Sequence, residues 1–79
     1  MARIEISKMK RIHKSSIRFH DIVMATYDIY EIDGRKILQI DTYGRPEREN
    51  TQNISQSIQI DENNVMELID LLKKNFNLE

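Results

Sequence analysis

The sequence has no cysteine and no tryptophan, a single proline and only two glycines in 79 residues. Without cysteine there can be no disulfide, and the commonest zinc ligand is missing as well. His13 and His20 lie seven positions apart with no carboxylate pattern around them, a spacing that fits surface or interfacial histidines better than metal ligands. With glycine confined to Gly34 and Gly44, no glycine-rich phosphate loop can form. A nucleophile elbow and a cysteine nucleophile are likewise absent. The expectation is a binding protein rather than an enzyme, with no cofactor. No run of about 18 apolar residues is present to span a bilayer. The start, Met1-Ala2-Arg3-Ile4-Glu5, lacks the apolar stretch of a secretory signal. A soluble, cytoplasmic protein is expected.

A chain this short forms one domain, and a single small core rarely supplies more than a few kcal/mol of stability. With disulfides and metal unavailable, oligomerisation is the remaining supplement, most simply a two-fold homodimer. The net charge of −1 conceals a division. Residues 1–20 carry Arg3, Lys8, Lys10, Arg11, Lys14 and Arg18 against Glu5 alone; the remainder carries six basic and twelve acidic side chains. Residues 1–21 thus read as a basic arm with a possible edge strand, and 22–79 as an acidic core of sheet and helix. A basic arm on a near-neutral protein suits an anionic partner.

Ile22 to Ile32 is rich in β-branched and aromatic residues and predicts a strand. Asp33-Gly34 follows, the dipeptide of a type I′ hairpin turn. Arg35 to Tyr43 predicts the returning strand, which Gly44-Arg45-Pro46 ends. Residues 45–53 are polar and predict a loop, and Ile54 to Ile60 alternates as a third strand. Asp61 fits a helix N-cap, Glu62 the positive end of the helix dipole, and Lys73 and Lys74 the negative end. Val65, Leu68, Ile69, Leu72 and Phe76 recur at helical spacing. Ile4 and Ile6 alternate with charged neighbours, as in a short edge strand; a further strand within 8–20 is open. The fold class is therefore α+β, an antiparallel four-stranded β-meander followed by one C-terminal amphipathic helix.

A two-residue turn fixes the hairpin register from Ile32 opposite Arg35. Glu31 then faces Lys36, Ile29 faces Leu38, Tyr27 faces Ile40 and Ala25 faces Thr42. With Ile54, Ile58 and Ile60, this set forms the apolar side on which the helix stripe should lie. The other side carries Thr26, Asp28, Tyr30, Arg35, Ile37, Gln39, Asp41, Tyr43, Ser55, Ser57 and Gln59. Tyrosines, amides and hydroxyls in rows favour adaptable hydrogen bonding and stacking. Asp28 and Asp41 on adjacent strands could suggest acid–base chemistry, but a chain this small has little means to build a concave pocket around them.

The stretch S-Q-S-I-Q-I-D-E-N-N-V-M-E-L-I-D-L-L-K-K (55–74), preceded by R-K-I-L-Q-I-D-T-Y-G-R (35–45), resembles the end of the positive-cofactor-four family of transcriptional coactivators. The resemblance covers roughly residues 22–76. It implies a curved four-stranded sheet plus helix, dimerising through the helices, whose sheets cradle single-stranded DNA. On that resemblance Arg35, Lys36, Arg45 and Arg48 would contact the backbone and Tyr30 and Tyr43 would stack on bases. Lys8, Lys10, Arg11, Lys14 and Arg18 on the arm would extend the electrostatic footprint. Asp28 and Asp41 depart from the basic strands of that family. Two functions are therefore expected: a dimeric module binding single-stranded nucleic acid, or a small regulator that docks a protein partner through the same face.

Overall fold

The computed structural model describes residues 1–44 and 53–78. Its elements are β1 (Ala2–Arg3), a 3₁₀ turn (Ile6–Lys8), β2 (Ala25–Ile32), β3 (Arg35–Tyr43), β4 (Ile54–Asp61) and α1 (Glu62–Phe76). The four strands form one sheet in the order β1-β4-β3-β2. The polar loop expected at 45–53 falls almost wholly outside the described residues, as do Arg45, Pro46 and Arg48.

The hairpin forms as its turn chemistry requires. Asp33 and Gly34 both take positive φ, 51° and 77°, and pairing runs from Ile32 opposite Arg35 to Ala25 opposite Thr42. Such φ values match the right-handed twist of the flanking strands. β3 in turn pairs antiparallel with β4, placing Ile40 opposite Ile58 and Leu38 opposite Ile60.

The sheet is mixed, not the purely antiparallel meander expected. β1 pairs in parallel with β4, Ala2 opposite Ile58 and Arg3 opposite Gln59. A parallel pair cannot be joined by a tight turn. Here the whole β2–β3 hairpin lies between the two strands in sequence, so β1 joins the sheet beside β4 rather than beside β2. Ile4 and Ile6 are not strand residues. Ile4 donates its N–H to the Gln59 carbonyl, and the chain then tightens into the 3₁₀ turn. Beyond that turn, residues 9–24 contain no regular element, so no further strand forms within 8–20.

The helix begins where the sequence places it. Asp61 has extended backbone angles and accepts from the Asn64 N–H, and Glu62 occupies the first turn. Lys73 and Lys74 sit in the last turn, and Asn77 ends the helix in the left-handed conformation. The Asn77 and Leu78 N–H groups both close onto the Lys73 carbonyl, satisfying an end that would otherwise expose it. None of the described helices is long and apolar enough to cross a membrane.

The helix does not cover the apolar side of the sheet as expected. It reaches β3, β4 and the 3₁₀ turn but not β2. Tyr27 and Ile29 on β2 consequently remain 76% and 52% exposed. Among the described residues the buried apolar side chains are Ile6, Ile37 and Ile60 alone. Ile37 was expected on the wet side; it is buried because it lies opposite Asp61, where β4 turns into α1.

A buried polar joint holds this corner. Asp61 Oδ1 accepts from the Asn64 backbone N–H at 3.1 Å and from Asn64 Nδ2 at 2.7 Å, while Asn64 Oδ1 accepts from the Ile6 N–H at 2.6 Å. The Asn64 side-chain amide is the main cause holding the Asp61 carboxyl below its ordinary pKa; burial opposes it, and the Asn64 N–H, Arg35 and Arg3 assist. A depressed folded-state value stabilises the protein above the ordinary carboxylate pKa of about 4, and that stabilisation is lost as pH falls through the lower value.

Two outcomes follow from the joint. Asn64→Ala, which leaves the Ile6 N–H buried without an acceptor, should cost about 1–3 kcal/mol in urea denaturation. A loss below about 0.5 kcal/mol would mean that the joint does not hold the N-terminal segment. Asp61→Asn should be less stable than the parent at pH 7, and the gap should close on acidification below the ordinary carboxylate range. A gap independent of pH would show that the Asp61 charge is not what matters.

Candidate nucleic-acid interface

Side chains directly opposite one another share a face of the sheet, so the register assigns the faces. One face carries Tyr27, Ile29, Leu38, Ile40, Ile58 and Ile60. The other carries three cross-strand rows. Thr26, Asp41 and Ser57 form one, Asp28, Gln39 and Gln59 the next, and Tyr30, Ile37 and Asp61 the third.

The polar face is internally ordered. Ser57 Oγ donates to Asp41 Oδ1 at 2.6 Å, and Gln39 Nε2 donates to the same oxygen at 3.0 Å. Gln59 Nε2 donates to Gln39 Oε1 at 2.9 Å, completing a chain across β3 and β4. The consequence is a fixed row of amides anchored on one carboxylate. Asp28 is satisfied locally, its Oδ1 accepting from the Ile29 N–H at 2.8 Å. Tyr43 and Thr26 hydroxyls lie 3.1 Å apart. Among the described residues neither Asp28 nor Asp41 forms a salt bridge.

A β-bulge reshapes one end of this face. The register slips between Thr42 and Tyr43, bringing Ile54 opposite Tyr43 and leaving Ser55 as the extra residue. Ile54 was expected to join Ile58 and Ile60 on the apolar side by strict alternation. Instead it borders a depression of about 330 Å³ together with Met1, Arg3, Gln39, Ser57 and Gln59.

Of the residues singled out from the sequence, Tyr30, Arg35 and Tyr43 share the polar face. Lys36 lies on the opposite face, across from Glu31, and its backbone N–H donates to Glu62 Oε1 at 3.2 Å. Lys8 pairs with Glu5 at 3.3 Å, and Arg11 donates to Asn75 Oδ1 near the end of α1 at 3.2 Å. Lys10, Lys14 and Arg18 are exposed along the arm. Arg45 and Arg48 lie outside the described residues.

The sequence reading missed Arg3 as a site residue. Its position opposite Gln59 places it on the polar face, and it acts electrostatically on Asp61 alongside Arg35. Arg3 and Arg35 approach that carboxylate from different strands. The signal for Arg3 is a parallel register between distant segments, which no local pattern carries. The hydrogen-bonded row, by contrast, follows from alternation once the register is known. Among the described residues no group of three or more His, Asp or Glu side chains gathers that could hold a metal ion.

The Ser57–Asp41 bond should be the strongest contact on this face, being short and made to a carboxylate. Ser57→Ala should cost about 1.5–3 kcal/mol in urea denaturation. Thr26→Ala, which removes an exposed contact, should cost under about 0.5 kcal/mol. Equal losses would refute an ordered row built on Asp41. No family model matches the chain, and comparison with curated proteins and with solved structures finds no match either.

Proposed function

We propose that the chain is a dimeric single-stranded nucleic-acid-binding module that uses the polar face of its sheet. The observation that supports this reading is the grouping of Tyr30, the Gln59–Gln39–Asp41–Ser57 row, Arg3 and Arg35 on one surface. Tyrosine stacks on any base, and such stacking tolerates sequence. The amides present donors and acceptors in fixed orientation to base edges. The arginines supply phosphate contacts, which set register and give the salt dependence of binding. The resemblance of residues 22–76 to single-stranded-DNA-binding coactivators points the same way.

A second reading, a regulator that docks a protein partner on this face, is favoured by Asp28 and Asp41. Both carboxylates sit among the polar rows with hydrogen-bond donors but with no cation bound to them among the described residues. Carboxylates repel phosphate, whereas a mixed face of tyrosine, amide and acid suits a protein surface.

Fluorescence anisotropy with labelled oligo-dT separates the two. On the nucleic-acid reading, binding weakens as salt rises. Tyr30→Ala should lower affinity by roughly 5- to 150-fold, the effect of about 1–3 kcal/mol of stacking. Arg35→Ala should flatten the salt slope, and Asp28→Asn should tighten binding. Absence of binding at low salt would remove this reading. Stoichiometric capture of one protein that survives nuclease would establish the other.

A further inference from the structure

The chain exposes far more surface than its size warrants. Its accessible area is 7485 Å², whereas a folded monomer of 9.4 kDa should expose about 5,000 Å². The radius of gyration is 15.0 Å, against about 12 Å for a compact domain of this length. The excess, about 2,500 Å² per chain on the same size relation, is on the scale of an obligate homodimer interface.

Besides α1, where Met66 and Phe76 are 61% and 68% exposed, apolar surface of the described residues lies open at two places. One is the arm between the helix and β2, which is held at both ends: Arg11 bonds Asn75, and the Tyr43 N–H donates to the Met24 carbonyl. Between these anchors the apolar side chains project into solvent, Ile17 at 80%, Phe19 at 102% and Ile22 at 94% exposed. A phenylalanine that buries none of its surface has no role in holding its own chain together. The other location is the apolar row of β2, Tyr27 and Ile29, left open because α1 does not reach it. β2 is also the edge of the sheet, with its outer backbone groups unpaired by any described strand.

We propose that the occupant of the β2 row is the arm of a second copy of this chain. The two copies would exchange residues 12–22 about a two-fold axis, each arm laying Ile17 and Phe19 over Tyr27 and Ile29 of the other. Charge supports the match. The exchanged segment carries Lys14 and Arg18, while Glu31 shares the face of Tyr27 and Ile29 and Asp33 lies in the adjoining turn. The excess area is enough for an obligate pair, and a two-fold axis uses both unsatisfied surfaces of each copy at once. This arrangement does not depend on nucleic acid, so its test is made without any.

Size-exclusion chromatography with light scattering on the full chain should give twice the 9.4 kDa chain mass. The midpoint of urea unfolding should rise with protein concentration, as it does when folding is linked to association. Phe19→Asp should weaken dimerisation by roughly a hundredfold or more, since two such side chains lose their burial per dimer. Tyr27→Asp, on the receiving surface, should weaken it likewise. A parent that runs at one-chain mass would overturn the proposal. So would a Phe19→Asp variant that keeps both the doubled mass and the concentration-dependent midpoint.

Discussion

Three elements of this small protein meet at one side chain, Asn64. Its amide faces the Asp61 carboxylate that starts the helix, and its carbonyl oxygen takes the N–H of Ile6. An amide is suited to this position because it donates on one side and accepts on the other. A carboxylate would repel Asp61, and a methyl group would leave Ile6 unsatisfied. The joint lets β4 turn directly into α1, with Asp61 serving both as the end of the strand and as the helix cap. The three buried isoleucines, one from the N-terminal segment and one each from β3 and β4, belong to elements that converge on this corner.

Much of the architecture could be read from local chemistry. Asp33-Gly34 specifies positive φ at two successive positions and so fixes every pair of the hairpin. Asp61 and the periodic apolar residues specify the start and extent of α1. What local patterns missed depends on pairing between distant segments. Alternation cannot reveal that β1 joins β4 in parallel, because two residues carry too little pattern to state a direction. A bulge breaks the period of two, which is why Ile54 changed sides. Ile37 lies on the face that alternation gives it, beside Tyr30 and Asp61, but its burial there depends on where the chain turns, which alternation does not carry.

The two faces of the sheet solve different problems. One is apolar and is not reached by α1 along β2, where Tyr27 and Ile29 stay exposed. The other is polar but internally satisfied, with Asp41 holding the amides of β3 and β4 in order. The surfaces proposed for recognition and for assembly would thus lie on opposite faces. The candidate site was legible as composition, in the rows of tyrosine, glutamine and serine. Its hydrogen bonds and the contribution of Arg3 needed the register.

The N-terminal latch also bears on the order of folding. Ile6 and Asn64 are separated by 58 residues, whereas the β2–β3 hairpin closes over a two-residue turn. Contacts close in sequence are entropically cheaper to form, so the hairpin and helix can precede the latch. During synthesis Ile6 leaves the ribosome before any of its partners and waits until the helix is complete. Its neighbours on the arm, with their apolar side chains, wait with it. The segment made earliest among these elements is thus the one placed last, and the interval between is when the chain is most open to misassociation.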